Sequence, residues 1–395
     1  MAIYKLINCI QNYAWGSYTS LSELFGLENS DNKPQAELWM GSHPNGCSVL
    51  ESTGMLLSDH IKQNQYDVLG ADTAKRYGEL PYLFKVLAAE TPLSIQVHPN
   101  KVNSQRGFER ENRQGIELHA ANRNYKDPNH KPELVYALTR YKAMNGFRPI
   151  EHIISLFDEV RLSALECELS SFKAQPNSDG LQSFFTSLMT LSGKRKSTVL
   201  NEVQAAFCRS ELSAMAQEAL NYSQSFAEHY EEDIGILAPF ILNIVELEPG
   251  EAMFLHAETP HAYVQGTALE IMASSDNVLR AGLTPKYIDV PELIANTRFD
   301  SIAPEQLKLA PIKREGRVHF PVPVDDFAFD ILYASPSSST LFVRGAEIIF
   351  CIDGEVELSS GEATLNLKRG ESVFVPYSAT SYQFKGTGRL ARAYN

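Results

Sequence analysis

The first group of residues that could do chemistry lies at 94–101, which reads SIQVHPNK. If this segment is a β-strand, Gln96 and His98 project from the same face, because alternate side chains of a strand point the same way. Pro99 then ends the strand, since proline has no amide hydrogen to donate to a sheet. An amide oxygen beside an imidazole can bind a metal ion or a charged ligand. This segment alone also fits a strand with one buried, hydrogen-bonded histidine.

A second polar group enters a strand at 125–136, where a turn bounded by prolines is followed by apolar residues. It carries Asn129, His130, Lys131 and Glu133. Burying an unpaired charge costs free energy. So many polar groups at the start of an apolar strand therefore indicate that they have partners elsewhere in the chain.

Two imidazoles, one carboxylate and one amide oxygen form a plausible site for a divalent ion such as zinc, iron, manganese or cobalt. The candidate ligands are Gln96, His98, Glu133 and His261. His256 competes with His261 as the second imidazole, and His261 is preferred because it aligns with an internal repeat described below. The lack of paired cysteines favours a catalytic over a structural metal site. Taken by themselves, the residues leave a metal site and ordinary packing both open.

Positive charge is concentrated in the same segments, although the chain carries a formal net charge of −13. The cations are Lys85, Lys101, Lys131, Arg280 and Lys286. A cationic pocket beside a metal predicts a small anionic substrate, most simply a phosphate ester. The alternative is that each cation pairs with a nearby acid such as Glu37, Glu270 or Asp276, and for any single lysine this is the simpler interpretation. Lys85, inside an apolar strand, either reaches the surface or points into a pocket.

Length and composition limit the classes of protein to consider. A chain of 395 residues predicts two or three domains, and 44% hydrophobic with 21% charged residues is typical of a globular protein. The excess of 48 acidic over 35 basic residues argues against nucleic acid or an anionic membrane as a partner. We expect no signal region and no membrane span. Five cysteines without a CxxC pair predict reduced thiols in a cytoplasmic protein.

Hydrophobic patterning predicts the elements that must position these residues. Short segments separated by turn residues predict antiparallel β structure up to about residue 100, and residues 102–125 are predicted to form short helices. Apolar residues recur at helical spacing between 150 and 234, which predicts a helical insertion. Its histidines, His152 and His229, are interpreted as surface or packing residues, and Trp15 and Trp39 as core packing beside turns.

From residue 234 the β pattern returns, and one unit of sequence occurs twice. GEAMF at 250–254 is followed by His261 and Gly266, and GESVF at 370–374 by Ser381 and Gly386, an offset of 120 residues (370 minus 250). Such self-similarity indicates a duplicated strand–turn–strand unit, which is typical of a jelly-roll barrel. The second copy has serine where the first has the candidate ligand, so a C-terminal barrel without the metal ligand is predicted.

Four motifs in this order closely resemble the type I mannose-6-phosphate isomerase family, also called phosphomannose isomerases. They read TPLSIQVHPNK, YKDPNHKPE, PHAYVQG followed by Glu270, and SDNVLRAGLTPK. The N-terminal segments QNYAWGS and PQAELWMGSHP are similar to the same family. The resemblance therefore covers nearly the whole chain, with the helical insertion and the C-terminal barrel as its less diagnostic parts.

The resemblance implies a mainly β protein with a helical insertion, made of two cupin (jelly-roll β-barrel) domains and an α-helical domain. We expect a catalytic cupin domain at 1–149 and 235–290, a helical domain at 150–234, and a degenerate C-terminal cupin domain at 291–395. A cytoplasmic monomer is expected.

The resemblance also implies a function: a zinc-dependent aldose–ketose isomerase that interconverts mannose 6-phosphate and fructose 6-phosphate through an enediol. One zinc ion per chain would be bound by Gln96, His98, Glu133 and His261. The catalytic roles fall on Arg280, Lys131 and Glu270. The substrate-binding roles fall on Ser94, Lys101 and Lys286.

Chemical reasoning separates the two catalytic cations. Arg280 is always protonated, so it is better suited to stabilise an enediolate than to act as a base, whereas Lys131 beside a metal ion is a candidate base.

Two other functions stay open. A non-haem iron oxygenase of cupin fold also uses two histidines and a carboxylate, and it predicts oxygen consumption. A sugar-binding cupin without turnover would tolerate the loss of Lys131 and Arg280.

Overall fold

The computed structural model describes residues 3–395. In chain order, its strands are β1 (Tyr4–Ile7), β2 (Cys9–Gln11), β3 (Glu37–Met40), β4 (Val49–Leu50), β5 (Tyr82–Ala89), β6 (Ile95–Val97), β7 (Glu133–Ala137), β8 (Tyr141–Phe147), β9 (Leu242–Leu247), β10 (Ala252–Leu255), β11 (His261–Ala273), β12 (Leu279–Gly282), β13 (Ile312–Arg314), β14 (Arg317–Phe320), β15 (Ala328–Ala334), β16 (Ser339–Phe342), β17 (Glu347–Ser360), β18 (Ala363–Lys368), β19 (Ser372–Val375) and β20 (Ser381–Tyr394).

The helices are concentrated between β8 and β9, as predicted for 150–234. In chain order they are α1 (Ser20–Phe25), α2 (Leu57–Gln63), α3 (Gln65–Leu69), α4 (Ala71–Arg76), α5 (Lys101–Arg113), α6 (Ile150–Val160), α7 (Glu166–Ala174), α8 (Ser178–Met189), α9 (Gly193–Ala206), α10 (Ala214–Tyr230), α11 (Ala238–Ile241) and α12 (Val290–Ala295). Short 3₁₀ turns lie at Ser163–Leu165, Ile234–Leu237, Pro304–Gln306 and Tyr377–Ala379. Within residues 3–395, no helix combines the length and apolar character that crossing a membrane requires.

The strands form two antiparallel sheets of ten strands each. One sheet has the order β10-β7-β11-β5-β3-β2, with β6, β8, β9 and β12 joined through the first half of β11. The other has the order β13-β14-β15-β20-β17-β19-β1-β4, with β16 and β18 at its side. The predicted mainly β fold with a helical insertion is confirmed, but no strand pairing among residues 3–395 closes either sheet into a barrel. The N-terminal strands β1 and β4 extend the C-terminal sheet, and the domain boundaries given above stay a prediction.

The internal repeat corresponds to a repeated pair of strands. A strand of four residues precedes a long strand in both copies, as β10 precedes β11 and β19 precedes β20. Gly266 and Gly386 lie within the long strands with φ of +117° and +143°. A Cβ at Gly266 would lie 2.5 Å from the carbonyl oxygen of Arg140, and one at Gly386 would lie 2.3 Å from that of Glu355. Both positions therefore require glycine, because the neighbouring backbone occupies the space of a side chain.

The part of the first sheet formed by β6, β8, β11 and β12 has two unlike faces. Alternate residues of these strands pack with the helices of 150–241 in one hydrophobic core; they include Ile95, Val97, Ala262, Val264, Leu279 and Ala281. Gln96, His261 and Arg280 alternate with these residues and so project from the opposite face. The helical insertion thus covers the apolar face of the sheet, and the polar face is left for the candidate site.

Candidate metal centre and active site

Three buried side chains converge where strands begin or end. His98 follows β6, Glu133 is the first residue of β7, and His261 is the first residue of β11. In the sheet register, His261 of β11 lies opposite Gln96 of β6, and Glu133 lies opposite Met272 at the far end of β11. One ligand atom from each of the three residues lies within 4.8 Å of the others. This group therefore has the spacing of ligands around one metal ion.

Hydrogen bonds fix the orientation of both imidazoles. Nδ1 of His98 lies 2.7 Å from the carbonyl oxygen of Asn277, and Nδ1 of His261 lies 2.9 Å from that of Thr259. A carbonyl oxygen only accepts, so each Nδ1 carries a hydrogen, and in the neutral form of the ring Nε2 then presents a lone pair. Each Nε2 lies 3.4 Å from an oxygen of Glu133, His98 from Oε1 and His261 from Oε2. In that form, a lone pair of each Nε2 faces the carboxylate of Glu133 with no hydrogen between them.

This arrangement of acceptors fits a metal cation. Nε2 of His98 is buried and has no hydrogen-bond partner within residues 3–395, and such an atom normally finds a partner. Burial, together with the charge of Lys131, lowers the pKa of His98 to about 4, so the imidazole is neutral at neutral pH. Burial alone would raise the pKa of Glu133, but the neighbouring Lys131 holds it well below its usual range. Two neutral imidazoles and an ionised carboxylate are the form in which these groups bind zinc.

Gln96 and Arg280 lie on strands next to the metal group, the name used here for the cluster of His98, Glu133 and His261. Arg280 of β12 lies directly opposite Gln96 of β6, which lies directly opposite His261 of β11. Residues paired in this way project from the same face. The amide nitrogen of Gln96 donates to the Ser94 hydroxyl at 3.2 Å. The predicted ligands Gln96 and His261 thus share a face, whereas the rejected alternative His256 is exposed and packs edge-on against Phe254.

Lys131 lies on the other side of Glu133. Its ammonium nitrogen is 3.3 Å from Glu133 Oε1, the oxygen that also faces His98. The second oxygen of Glu133 lies 3.0 Å from the hydroxyl of Tyr263. Each oxygen of this carboxylate therefore touches an imidazole and one further polar group, as expected for a metal ligand whose orientation must be held.

A buried chain of charges continues from Tyr263. Its hydroxyl lies 2.7 Å from Oε1 of Glu270, and the ammonium of Lys85 lies 3.0 Å from Oε2 of Glu270 and 3.7 Å from Glu37. Lys85 also lies 5.2 Å from the ring of Trp39. Lys85 therefore pairs with acids inside the sheet and does not reach the surface. Burial raises the pKa of Glu270 although Lys85 opposes the shift.

Unlike Lys85 and Lys131, Arg280 and Lys286 form no ion pair with a carboxylate within residues 3–395. Burial lowers the pKa of Arg280. Burial and the charge of Arg280 lower the pKa of Lys286. Cations without a counterion can bind an anion. Lys101 is exposed and donates to the side-chain oxygen of Asn129, away from this pair.

Two residues of the site were missed in the sequence. Tyr263 could have been found, because it lies two positions after His261 on a strand and so shares its face. Asn277 gave no signal of its own, because its contacts with His98 and with residues 126–129 join segments far apart in the chain.

Comparisons with known proteins give a consistent result. Residues 3–150 match the catalytic domain of type I phosphomannose isomerase, and residues 317–395 match the cupin domain of mannose-6-phosphate isomerase. The chain is 50% identical over 394 residues to the mannose-6-phosphate isomerase of Escherichia coli strain K12, with 99% of both chains covered. It is 34% identical to that of Homo sapiens, with 94% of this chain and 93% of the human one covered. A crystal structure of zinc-bound mannose 6-phosphate isomerase is similar with a TM-score of 0.94, at 49% identity and 100% coverage of both chains.

The charge chain predicts that Lys85→Met destabilises the metal-free protein by about 3–5 kcal/mol at neutral pH, because two buried carboxylates lose their cation. In the variant, Glu270 gains a proton on folding, so its folded pKa lies further above the unfolded value. Stability from such a group is present at low pH and is lost as pH rises, so the destabilisation should be smaller at about pH 5.5 than at about pH 7.5. Urea unfolding in EDTA at both pH values measures the loss in the free energy of unfolding. Lys313→Met, on the exposed strand β13, is the matched control, and an equal loss at both pH values would contradict the prediction.

Proposed function

The chain belongs to the type I phosphomannose isomerase family of enzymes, and on that basis we propose that it interconverts mannose 6-phosphate and fructose 6-phosphate. The observation that carries the proposal is the meeting of two kinds of site. The ligand atoms of His98, Glu133 and His261 lie within 4.8 Å of one another, and Arg280, which has no ion-pair partner within residues 3–395, projects from the same face of the sheet as Gln96 and His261. A metal ion and a phosphate ester satisfy these two requirements together.

We propose that one zinc ion per chain is held by Gln96, His98, Glu133 and His261. The donor set supports it, because imidazole nitrogen and carboxylate oxygen are common zinc ligands and the lone pairs face one another. Bound zinc supplies Lewis-acid stabilisation of negative charge on a substrate oxygen. The chain supplies the orientation, through the hydrogen bonds that Asn277 and Thr259 accept from the two imidazoles.

We propose that the reaction proceeds through an enediol. A base removes the proton from C2 of the open-chain aldose, the C–H electrons form the C1–C2 double bond, and the C1 carbonyl oxygen gains a proton. Return of a proton to C1 and loss of the O2 proton then give the ketose. Lys131 is the proposed base, because its amine lies beside Glu133 and approaches the metal group.

Arg280 and Glu270 have supporting roles in this scheme. The guanidinium of Arg280 is cross-strand from Gln96 and has no counterion in residues 3–395, so it is available to stabilise a negatively charged enediolate. Glu270 contacts the metal group through Tyr263, whose single hydroxyl proton lies between two carboxylates. Glu270 is therefore the proposed acid–base group that exchanges protons with the metal group through this hydroxyl.

Phosphate binding is proposed for Ser94 and Lys286, with Lys101 nearby. Ser94 is linked to Gln96 by a hydrogen bond, and Lys286 lies beside Arg280, so an anion held by them is adjacent to the metal group. Binding the phosphate in this position supplies free energy that holds the reacting carbons in place.

We also propose a cytoplasmic monomer with two jelly-roll units around the helical insertion, at the boundaries expected from the sequence. The five free cysteines support a reducing compartment. The repeated strand pair β10–β11 and β19–β20 supports two related β units.

The function is tested by a coupled assay for fructose 6-phosphate formed from mannose 6-phosphate. We expect activity in the native protein, loss of activity after EDTA treatment, and recovery when zinc is restored, because the acceptor cluster requires a cation. A folded, zinc-loaded sample without turnover would refute the isomerase. Oxygen consumption with iron would then favour an oxygenase, and sugar phosphate binding alone would favour a binding protein.

The enediol is tested separately, by running the reaction in D₂O. Proton transfer through a side chain allows exchange with solvent, so deuterium should be incorporated at C1 of fructose 6-phosphate. NMR or mass spectrometry of the product measures it. A direct hydride shift from C2 to C1 would leave the product free of deuterium, and that outcome would contradict the enediol.

The two lysines should affect different kinetic constants. Lys286→Met removes a charged contact made in both ground and transition states, so KM for mannose 6-phosphate should rise by about 10- to 100-fold with kcat nearly unchanged. Lys131→Met removes the base, and kcat should fall by about 100-fold or more. Lys313→Met again serves as the control. A Lys286→Met enzyme with unchanged KM would exclude this lysine from phosphate binding.

A further inference from the structure

Two turns beside the metal group hold each other through side-chain hydrogen bonds. One turn is residues 126–129, which lead to Lys131 and Glu133, and the other is residues 274–277, which connect β11 to β12. Asn277 is at the centre of the contact and its side chain is fully buried.

The side chain of Asn277 uses its hydrogen-bonding capacity entirely on the first turn. Its oxygen accepts from the backbone amides of Lys126 at 2.7 Å and Asp127 at 3.2 Å. Its amide nitrogen donates to the carbonyl oxygens of Asp127 at 2.7 Å and Asn129 at 2.9 Å. Only a carboxamide supplies two donors and an acceptor in this shape. An aspartate would place an oxygen against two carbonyl oxygens.

The first turn makes the reciprocal contacts. The carboxylate of Asp127 accepts from the Ser275 hydroxyl at 2.8 Å and from the backbone amide of Asp276 at 2.7 Å. Because each turn satisfies buried polar groups of the other, neither can shift alone without leaving some of them unpaired.

The backbone of Asn277 also contacts the metal group. Its carbonyl oxygen accepts from Nδ1 of His98 at 2.7 Å, the contact that aims Nε2 of His98 at Glu133. A single residue therefore touches a metal-facing imidazole through its main chain and, through its side chain, the turn that leads to Lys131.

We propose that Asn277 is a positioning residue that fixes His98 and the turn before Lys131 in one arrangement, so that the metal group and the base are set relative to each other. The part that concerns Lys131 rests on the proposed isomerase function. The part that concerns His98 requires only a metal site. Partners of metal-bound histidines typically change metal affinity or activity by about 10- to 100-fold when mutated.

The test is Asn277→Asp, which keeps the shape of the side chain and removes both donors. We expect zinc affinity, measured by competition with a chromophoric chelator, to fall by about 10- to 100-fold. In the zinc-saturated enzyme kcat should fall by a similar factor, with KM for mannose 6-phosphate changed by less than about threefold, because Arg280 and Lys286 are untouched. Asn277→Ser, which also loses these contacts but introduces no charge, gives the same readings if Asn277→Asp does not fold.

The matched control is Asn243→Asp. Asn243 is equally buried and its side-chain nitrogen donates to backbone carbonyls, those of Asn145, Gly146, Phe147 and Ile302. It should lower thermal stability while leaving zinc affinity close to that of the unmodified protein. If the Asn277 variants match this control in zinc affinity and in kcat, Asn277 has only a structural role and the proposal is wrong.

The same measurements separate this proposal from the proposed function. If the unmodified protein binds zinc but does not isomerise mannose 6-phosphate, the isomerase is refuted, and weaker zinc binding by Asn277→Asp still supports the positioning of His98. If the unmodified protein does not bind zinc, the metal site and the positioning role are both refuted.

Discussion

The rest of the site depends on one buried carboxylate. Glu133 faces Nε2 of two imidazoles whose Nδ1 atoms donate to backbone carbonyls, so in their neutral form these rings have no hydrogen to donate to it. Such an arrangement is unfavourable unless a cation lies between the groups. Lys131 balances the charge of Glu133 at 3.3 Å, but only a metal ion can accept the lone pairs of both imidazole nitrogens.

The buried charges of Lys85, Glu270 and Glu133 are balanced by other residues of the protein, whereas the charges of Arg280 and Lys286 are not. Lys85 lies between Glu37 and Glu270, and Tyr263 connects Glu270 to Glu133. Arg280 and Lys286 have no such carboxylate among residues 3–395. An anionic substrate is therefore expected to bind at Arg280 and Lys286, because it can neutralise only cations that the chain leaves unpaired. This difference in pairing also explains why cations could be concentrated in an acidic protein without forming a general basic surface.

The two faces of the sheet differ: one is apolar and packs against helices, and the other projects polar side chains into the site. Ile95, Ala262 and Ala281 pack with the helices of the insertion, and the residues that alternate with them project into the site. The insertion therefore stabilises the side of the sheet that chemistry does not use. The register of the strands decides which side chains face the site, since a shift of one residue would exchange the two faces of the sheet.

The sequence by itself determined the kinds of groups and the elements that carry them. The segment around Gln96 and His98, the polar turn before Glu133, the repeated strand pair and the helical pattern at 150–234 could all be predicted, because alternation and helical spacing are local properties of the chain. Tertiary structure decided which cations are paired, that Tyr263 joins two carboxylates, and that Asn277 links His98 to residues 126–129. Those contacts join residues far apart in the chain, and the partner across a sheet is set by register and by burial of the whole core, which no local pattern contains.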